Sequence, residues 1–347
     1  MPTRRLPAEW EPQSAVMLTW PHAATDWAEV LPAAEAVYDR LAVEIAARER
    51  LLVACHDDAV RARVAARLAA LGVDAGRIVL AVAPSNDTWA RDHGPLAIET
   101  PAGAEILDFG FNGWGGKFEA ALDDDVPSAL ARAGVFGATP CRKVALVVEG
   151  GALETDGAGT LLATRHSVLT GTRNPGLAQR DVEAALRAEL GIERFLWLEH
   201  GALSGDDTDG HVDTLVRFAD PRTLLHVTST PDDPDHPGLE AMRAELAALR
   251  TATDEPYRLV PLPPPGRHFA AGRRLPATYA NFLIVNGAVL LPVYGVANDA
   301  AAVRTVAACF PDRAVVPIDC RTLIRQSGSL HCVTMQLPAS VDLCTPC

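Results

Sequence analysis

The sequence predicts an α/β protein built from a recurring unit. Three observations carry that prediction: short apolar β-rich segments recur along the chain, helix-period stretches fall between them, and a loose pattern of strand, polar turn, second strand and helix appears about five times at roughly 45–75-residue spacing. The polar turns of that pattern fall near Asp92, Glu149, His211, Asn286 and the pair His331-Cys332. A closed assembly of such units would bring those turns to one centre.

In chain order, strands or short buried segments are predicted at 51–54, 78–82, 96–98, 144–148, 161–163, 195–198, 214–218, 224–227, 282–285, 289–293 and 315–318. Each is rich in Val, Ile, Leu or aromatic residues. Helices are predicted over 33–50, 58–71, 174–190, 239–249 and 299–308, where apolar residues recur at helical spacing. The third starts at Asn174-Pro175 and ends before Gly191, a start and stop signal in the expected order. The Pro-rich stretches 231–237 and 261–265 read as surface loops too short to link domains.

At ~150 residues per domain, 347 residues suggest about two domains, but closed α/β barrels and propellers fill that length as one unit. The expectation is one catalytic domain over 1–340 and a short tail over 341–347. With 48% hydrophobic and 22% charged residues the chain is neither disordered nor fibrous. No apolar run approaches the ~20 residues that span a bilayer, and residues 1–20 lack a secretory apolar stretch. A soluble, cytoplasmic protein without membrane contact is expected.

The net charge of −13 comes with no basic cluster longer than Arg-Arg, so nucleic acid is not an expected partner, while a small cation is compatible. Seven scattered cysteines form no disulfide framework, and a reduced compartment follows. Cys344 and Cys347 make one CxxC, where a zinc ribbon needs two.

Polar residues crowd against apolar segments at 86–95, 149–151, 204–213 and 327–336. Cys332 follows a Ser-Gly-Ser turn and His331; it is either a nucleophile at a strand edge, which needs a lowered thiol pKa, or a small buried hydrophobe. His211 and Asp213 share a face of an extended strand, as a proton-shuttling pair or as an acidic turn. The latter stretch is not an EF-hand, because Gly205 and Val216 would occupy positions that require acids. Asp92, with Asp87, Trp89 and Arg91, either cradles a planar cation against an indole or forms a turn in which Arg91 neutralises both acids. Serine-hydrolase elbow, P-loop, dinucleotide and zincin motifs are all missing.

Together NDTWARDHGP at 86–95, VEGG at 148–151, Asn174-Pro175, DDTDGHVD at 206–213, TYANF at 278–282 and SLHCVTMQLP at 329–338 resemble the agmatine deiminase and bacterial peptidylarginine deiminase family, in order, over about 7–338. The resemblance implies the pentein fold, a five-bladed pseudo-symmetric α/β propeller of ββαβ-type units. It also implies Cys332 as nucleophile, His211 as general acid and base, Asp92 and Asp213 as the carboxylates that grip a guanidinium, and Glu149 as support for His211. Trp89 would line the channel and Asn281 complete the inner shell. No metal or organic cofactor is implied, the partner is a small cationic guanidine, and a homodimer is the expected assembly.

Relatives acting on C-terminal arginine carry two arginines just after the residue matching Asn112. Here Gly113 and Gly115 stand there, which favours agmatine, with Trp114 free to close over its alkyl chain or ammonium. The far end of the pocket then has no evident anion partner. The chain departs from agmatine deiminases at 326–330, at 334–336 and at 206–209. Three alternatives remain: an arginine or peptidylarginine deiminase, a metal-dependent hydrolase using His93, His211 and Asp213, and a non-catalytic guanidine-binding protein.

Overall fold

One pattern of strand pairing repeats through the computed structural model, which describes residues 4–345. Strands β1 (Gln13–Thr19), β2 (Arg50–Cys55) and β3 (Ile78–Val82) run parallel and are joined by helices α1 (Leu31–Ala46) and α2 (Asp58–Ala70). Next, β4 (Leu96–Thr100) pairs antiparallel with β5 (Gly103–Gly110), and β5 pairs parallel with β6 (Cys141–Val147) across helix α3 (Val126–Arg132). The same antiparallel-then-parallel order returns in β7 (Glu154–Thr155), β8 (Thr160–Thr164), α4 (Gln179–Leu190) and β9 (Arg194–Leu198). It returns in β10 (Val216–Asp220), β11 (Thr223–His226), α5 (His236–Ala248) and β12 (Arg258–Pro261).

After a hairpin of β13 (His268–Ala270) and β14 (Arg273–Leu275), β15 (Leu283–Val285), β16 (Ala288–Val293), α6 (Asp299–Cys309) and β17 (Ala314–Asp319) repeat it again. Finally β18 (Thr334–Pro338) returns to the start of the chain and pairs antiparallel with β1, setting Met335 opposite Met17. The first sheet thereby gains the antiparallel neighbour that each of the other four has from its own hairpin. Each parallel pair is bridged by a helix, since parallel strands need a long crossover.

The two faces of the first sheet feed different cores. Val16 and Leu18 of β1 and Leu51, Val53 and Cys55 of β2 join one buried cluster, whereas Ala15, Met17, Leu52 and Ala54 join the other. That split follows from the period of two along a strand, and burial on both faces explains why β2 reads as an apolar run, whereas β1, which begins with Gln13-Ser14, was not expected from the sequence. The helix ends are set locally: Asp57 accepts from Val60 N at 2.7 Å to start α2, and Gly191, at φ 69°, ends α4 as expected.

Several expectations shift. The first predicted helix overran into β2, because its last residue, Arg50, is strand. The helix expected from Asn174 starts at Gln179, because the Asn174 side chain instead accepts from Val147 N at 3.0 Å and donates to Val147 O at 2.8 Å. Thr214 lies in a helical turn ahead of β10. The polar turns precede each antiparallel pair and do not sit between its strands; the exception, Asn286, belongs to the β15–β16 hairpin and binds Gln13 backbone, away from the other turns.

Among the described residues no helix is long and apolar enough to cross a membrane. The segment expected as a tail packs Val341 and Leu343 into the second cluster and is tied by Cys344 N to Val135 O at 2.8 Å. Cys347, the second half of the CxxC, lies outside the described residues.

Candidate active site

All five units contribute to one site. Trp89 and Asp92 lie between β3 and β4, Glu149 and Gly151 between β6 and β7, His211 and Asp213 between β9 and β10, Asn281 between β14 and β15, and Cys332 between β17 and β18. Most of these segments leave the carboxyl end of a parallel strand, where α/β sheets commonly place ligands. Gly151 marks the centre: a Cβ there would lie 2.6 Å from His211 Nδ1, 2.7 Å from Asp92 Oδ1 and 3.2 Å from Asp213 Oδ2. Only a residue without a side chain lets those groups approach one another.

His211 is buried between carboxylates. Its Nε2 is 3.2 Å from Glu149 Oε2, and its Nδ1 is 3.4 Å from Asp92 Oδ1, close enough for charge attraction but without hydrogen-bond alignment. Burial pulls the imidazole pKa down, yet Asp92, Glu149 and Asp213 together outweigh it and hold His211 at about 9. Glu149 is gripped in turn by Arg173, whose Nε donates to both carboxylate oxygens at 2.9 and 2.8 Å, while Arg173 Nη1 reaches Asp209 Oδ2 at 2.7 Å. His211 and Asp213 meet through a helical turn at Val212–Thr214, not by strand alternation as expected.

Cys332 is buried with its Sγ 3.4 Å from Asn281 Oδ1 and 3.9 Å from Asp213 Oδ2. Asn281 Oδ1 also accepts from His331 N at 2.9 Å, and its amide donates to Asp213 Oδ2 at 3.1 Å, so one side chain fixes the thiol and the acid together. Burial, then Asp213 and Asp92, push the thiol pKa well above its ordinary value, so these surroundings favour the protonated thiol. Asp213 goes the other way: burial would raise it, but His331, His211 and Arg217 hold it below the usual range. Asp92 follows its burial, up to about 6, although Trp114 Nε1 donates to its Oδ2 at 2.9 Å and Gly151 N to its Oδ1 at 3.0 Å.

Asp92 and Cys332 line a cavity of ≈480 Å³. Trp89 and Trp114 form aromatic walls, and Asp26, Asp87, Glu119, Asp123 and Asp207 make the rest strongly acidic. Trp89 is fixed by its Nε1 donating to Asp87 Oδ2 at 3.1 Å and by Gly328, where a Cβ would meet the indole at 2.1 Å. The turn 112–116 is tightly wound: a Cβ on Gly113 would lie 2.3 Å from Phe118 O, and one on Gly115 2.6 Å from Thr172 Oγ1, both at positive φ. Arginines at those places would require a different loop. Contrary to expectation the cavity does hold a cation, Arg273, whose Nη1 donates to Ser327 Oγ at 2.7 Å.

Two alternatives fail geometrically. Arg91 does not neutralise Asp87 and Asp92; its Nη1 donates to Gln336 Oε1 at 2.7 Å, with Glu9 nearby. His93 binds Thr19 at 2.8 Å and faces Asp123, and among the described residues no three His, Cys, Asp or Glu side chains form a metal-binding group.

Asp92, Glu149, His211, Asp213, Asn281, Cys332, Trp89 and Trp114, all singled out from sequence, therefore come together. Arg173, Gly151, Glu9 and His331 as a bridge were missed. Only the VEGG glycines carried a usable signal, as small residues directly after an acid in a polar cluster.

The sequence profile of Porphyromonas-type peptidyl-arginine deiminases matches residues 5–338. The chain is 33% identical to the agmatine deiminase of Stutzerimonas stutzeri, over 96% of this chain and 95% of that one. A solved Porphyromonas gingivalis structure with the provisional name arginine deiminase is 46% identical, covering 97% and 99% of the two chains at TM-score 0.90. The C. jejuni agmatine deiminase solved with substrate bound is 30% identical, covering 98% and 97% at TM-score 0.88.

Proposed function

The chain belongs to the Porphyromonas-type peptidyl-arginine deiminase family, and from that membership we propose that it hydrolyses agmatine to N-carbamoylputrescine and ammonia through a covalent bond to Cys332. It is a hydrolase of the amidine C–N bond; the substrate and the covalent step are our reading. We also propose that its five ββαβ units stand around a pseudo-fivefold axis as a pentein propeller, with residues 1–340 as one catalytic domain.

The observation that carries the reading is a buried thiol at an acidic cavity, 3.9 Å from Asp213, with Asp92 on the same wall. The guanidinium carbon is a poor electrophile because its charge is delocalised, so Asp92 and Asp213 would hold the plane of the cation for attack from one side. Arrival of that cation offsets the two carboxylates that keep Cys332 protonated, so the thiol gives up its proton to solvent, His211 being already protonated, and the thiolate becomes available.

Sulfur then adds to the guanidinium carbon. The tetrahedral adduct collapses as His211, protonated at neutral pH, gives its proton to the departing amine, which leaves as ammonia. An amidino-thioether remains on Cys332. Neutral His211 next takes a proton from water, the hydroxide adds to the same carbon, and the C–S bond breaks to give the ureido product and free Cys332. Glu149, gripped by Arg173, keeps His211 oriented throughout, and Asn281 holds the sulfur. Trp89 and Trp114 flank the alkyl chain.

Arg273 supports a second reading, in which it binds the carboxylate of arginine or of a C-terminal peptide arginine. Ammonia release from agmatine, arginine and a peptide ending in arginine, measured in parallel with Cys332→Ala as control, separates the two. Turnover of agmatine, lost in the variant, is expected. Turnover of only the carboxylate-bearing substrates transfers the function to the second reading, and wild-type turnover by Cys332→Ala sinks the covalent mechanism.

A further inference from the structure

Behind Asp213, away from the cavity, lies a line of buried groups that the reaction above does not use. Glu9 Oε1 accepts from Ile284 N at 2.7 Å, and its Oε2 accepts from Arg217 Nη2 and from His331 Nε2, each at 2.7 Å. The other ring nitrogen of His331 is 2.7 Å from Asp213 Oδ2. Two ionised carboxylates at those distances are acceptors only, so both imidazole nitrogens donate. Arg217, Glu9, His331 and Asp213 thus form one hydrogen-bonded line, with no member more than 8% exposed. None of Arg217, Glu9 or His331 lines the cavity.

We propose that Glu9, clamped by Arg217, keeps His331 donating from both nitrogens, and that His331 thereby holds Asp213 ionised and correctly turned to receive the guanidinium. Glu9 and His331 are positioning residues, and the inference rests on reading Asp213 as a guanidinium carboxylate. A buried carboxylate without a cation beside it takes up a proton and can no longer hold a guanidinium. Asp92, which accepts from an indole and a peptide N–H and has the His211 ring at 3.4 Å without a hydrogen bond, is raised by burial to about 6, while Asp213, hydrogen-bonded to His331, is held below its ordinary value with His331 as the leading counterweight to burial. The remaining charged or titratable neighbours are Glu154 on Arg217, Arg91 at 3.9 Å from Glu9, Glu49 and Arg313 within electrostatic reach of Glu9, and His211, Asp92, Arg91 and Cys332 around Asp213. With His331 at hydrogen-bond distance and Asn281 neutral, Oδ2 has one cationic donor, and Asp213 Oδ1 stays buried without a partner, the free acceptor a guanidinium needs.

The test is the pH profile of agmatine turnover in wild type, His331→Gln and Glu9→Gln, with Cys332→Ala alongside. Both variants should raise KM about tenfold on the acid side, the effect of about one pKa unit on Asp213, and should recover toward wild type at higher pH as Asp213 ionises unaided. Glu9→Gln preserves shape and keeps the test open if His331→Gln does not fold. Variants whose acid limb stays where wild type has it, or in which kcat falls evenly at every pH, overturn the relay alone. If the wild type turns over only arginine or a peptide ending in arginine, the same profiles are read on that substrate; absence of Cys332-dependent turnover of all three guanidines overturns the site reading and the relay with it.

Discussion

The indole N–H of Trp114 donates to Asp92 Oδ2 at 2.9 Å, from a residue held at φ 55° in a turn of consecutive glycines. The loop that supplies an aromatic wall of the cavity is thus bonded to a carboxylate that lines the same cavity. This contact steadies the ionised form of Asp92 against its burial. Trp114→Phe keeps the ring and deletes the donor, so Asp92 should rise above about 6 and the acid limb of kcat/KM should move to higher pH. A hydrogen bond to a charged group contributes about 1.5–3 kcal/mol, so the shift should be on the order of one unit. An unmoved limb would mean that another group sets it.

Glu149→Gln should act on the opposite limb. His211 sits at about 9 because three carboxylates overcome burial, so removing one lowers that value and draws the alkaline fall of kcat/KM to lower pH. The pH profile of the variant reads this directly, and an unchanged alkaline limb would remove His211 as the acid.

Gly151→Ala tests the convergence itself. The added methyl would sit 2.6 Å from His211 Nδ1 and 2.7 Å from Asp92 Oδ1, and displacement of about 1 Å in a reacting group can cost about 100-fold in rate. We expect folded protein with turnover reduced by about that factor. Wild-type turnover would show that the three side chains need not meet there.

Arg173→Ala leaves Glu149 buried without the guanidinium that grips both its oxygens, with only His211 beside it. Breaking a buried pair in this way costs about 3–5 kcal/mol, which should appear as a lower denaturation midpoint together with loss of activity. A variant as stable as the wild type would place Arg173 outside the support of the site.

How much of this was legible in the sequence depended on the range of the interactions involved. β15 and β16 announce themselves because both faces are buried and every residue is apolar, and β3 because all five of its residues are apolar although alternate ones are half-buried. β5 was hidden by Glu105 and Asp108, acids that a strand tolerates only because Arg142 and Ser128, far along the chain, receive them. Asn174-Pro175 carries a true local signal for a helix start, overridden by the Val147 backbone. In the site, Cys332, His211 and Asp213 stood out because their polar neighbours adjoin them in sequence. Arg173 in a Thr-Arg-Asn stretch reads as a loop cation until Glu149 is placed against it. Asn281 and Asn286 look alike as polar residues beside an apolar run, and only the hairpin between β15 and β16 separates them.

The pairing of β18 with β1 gives the protein a particular history during its own synthesis. Glu9 and His331, in contact in the folded state, are 322 residues apart, which at ~5–20 residues per second means tens of seconds between their emergence from the ribosome. Before residues 332–338 emerge, Asp92, Glu149, His211 and Asp213 have been made, but β1 has only β2 beside it and the cysteine of the site is absent. The segment that seals the first sheet therefore also delivers Cys332 and the His331 contact to Asp213, so sheet closure and completion of the site are one late event.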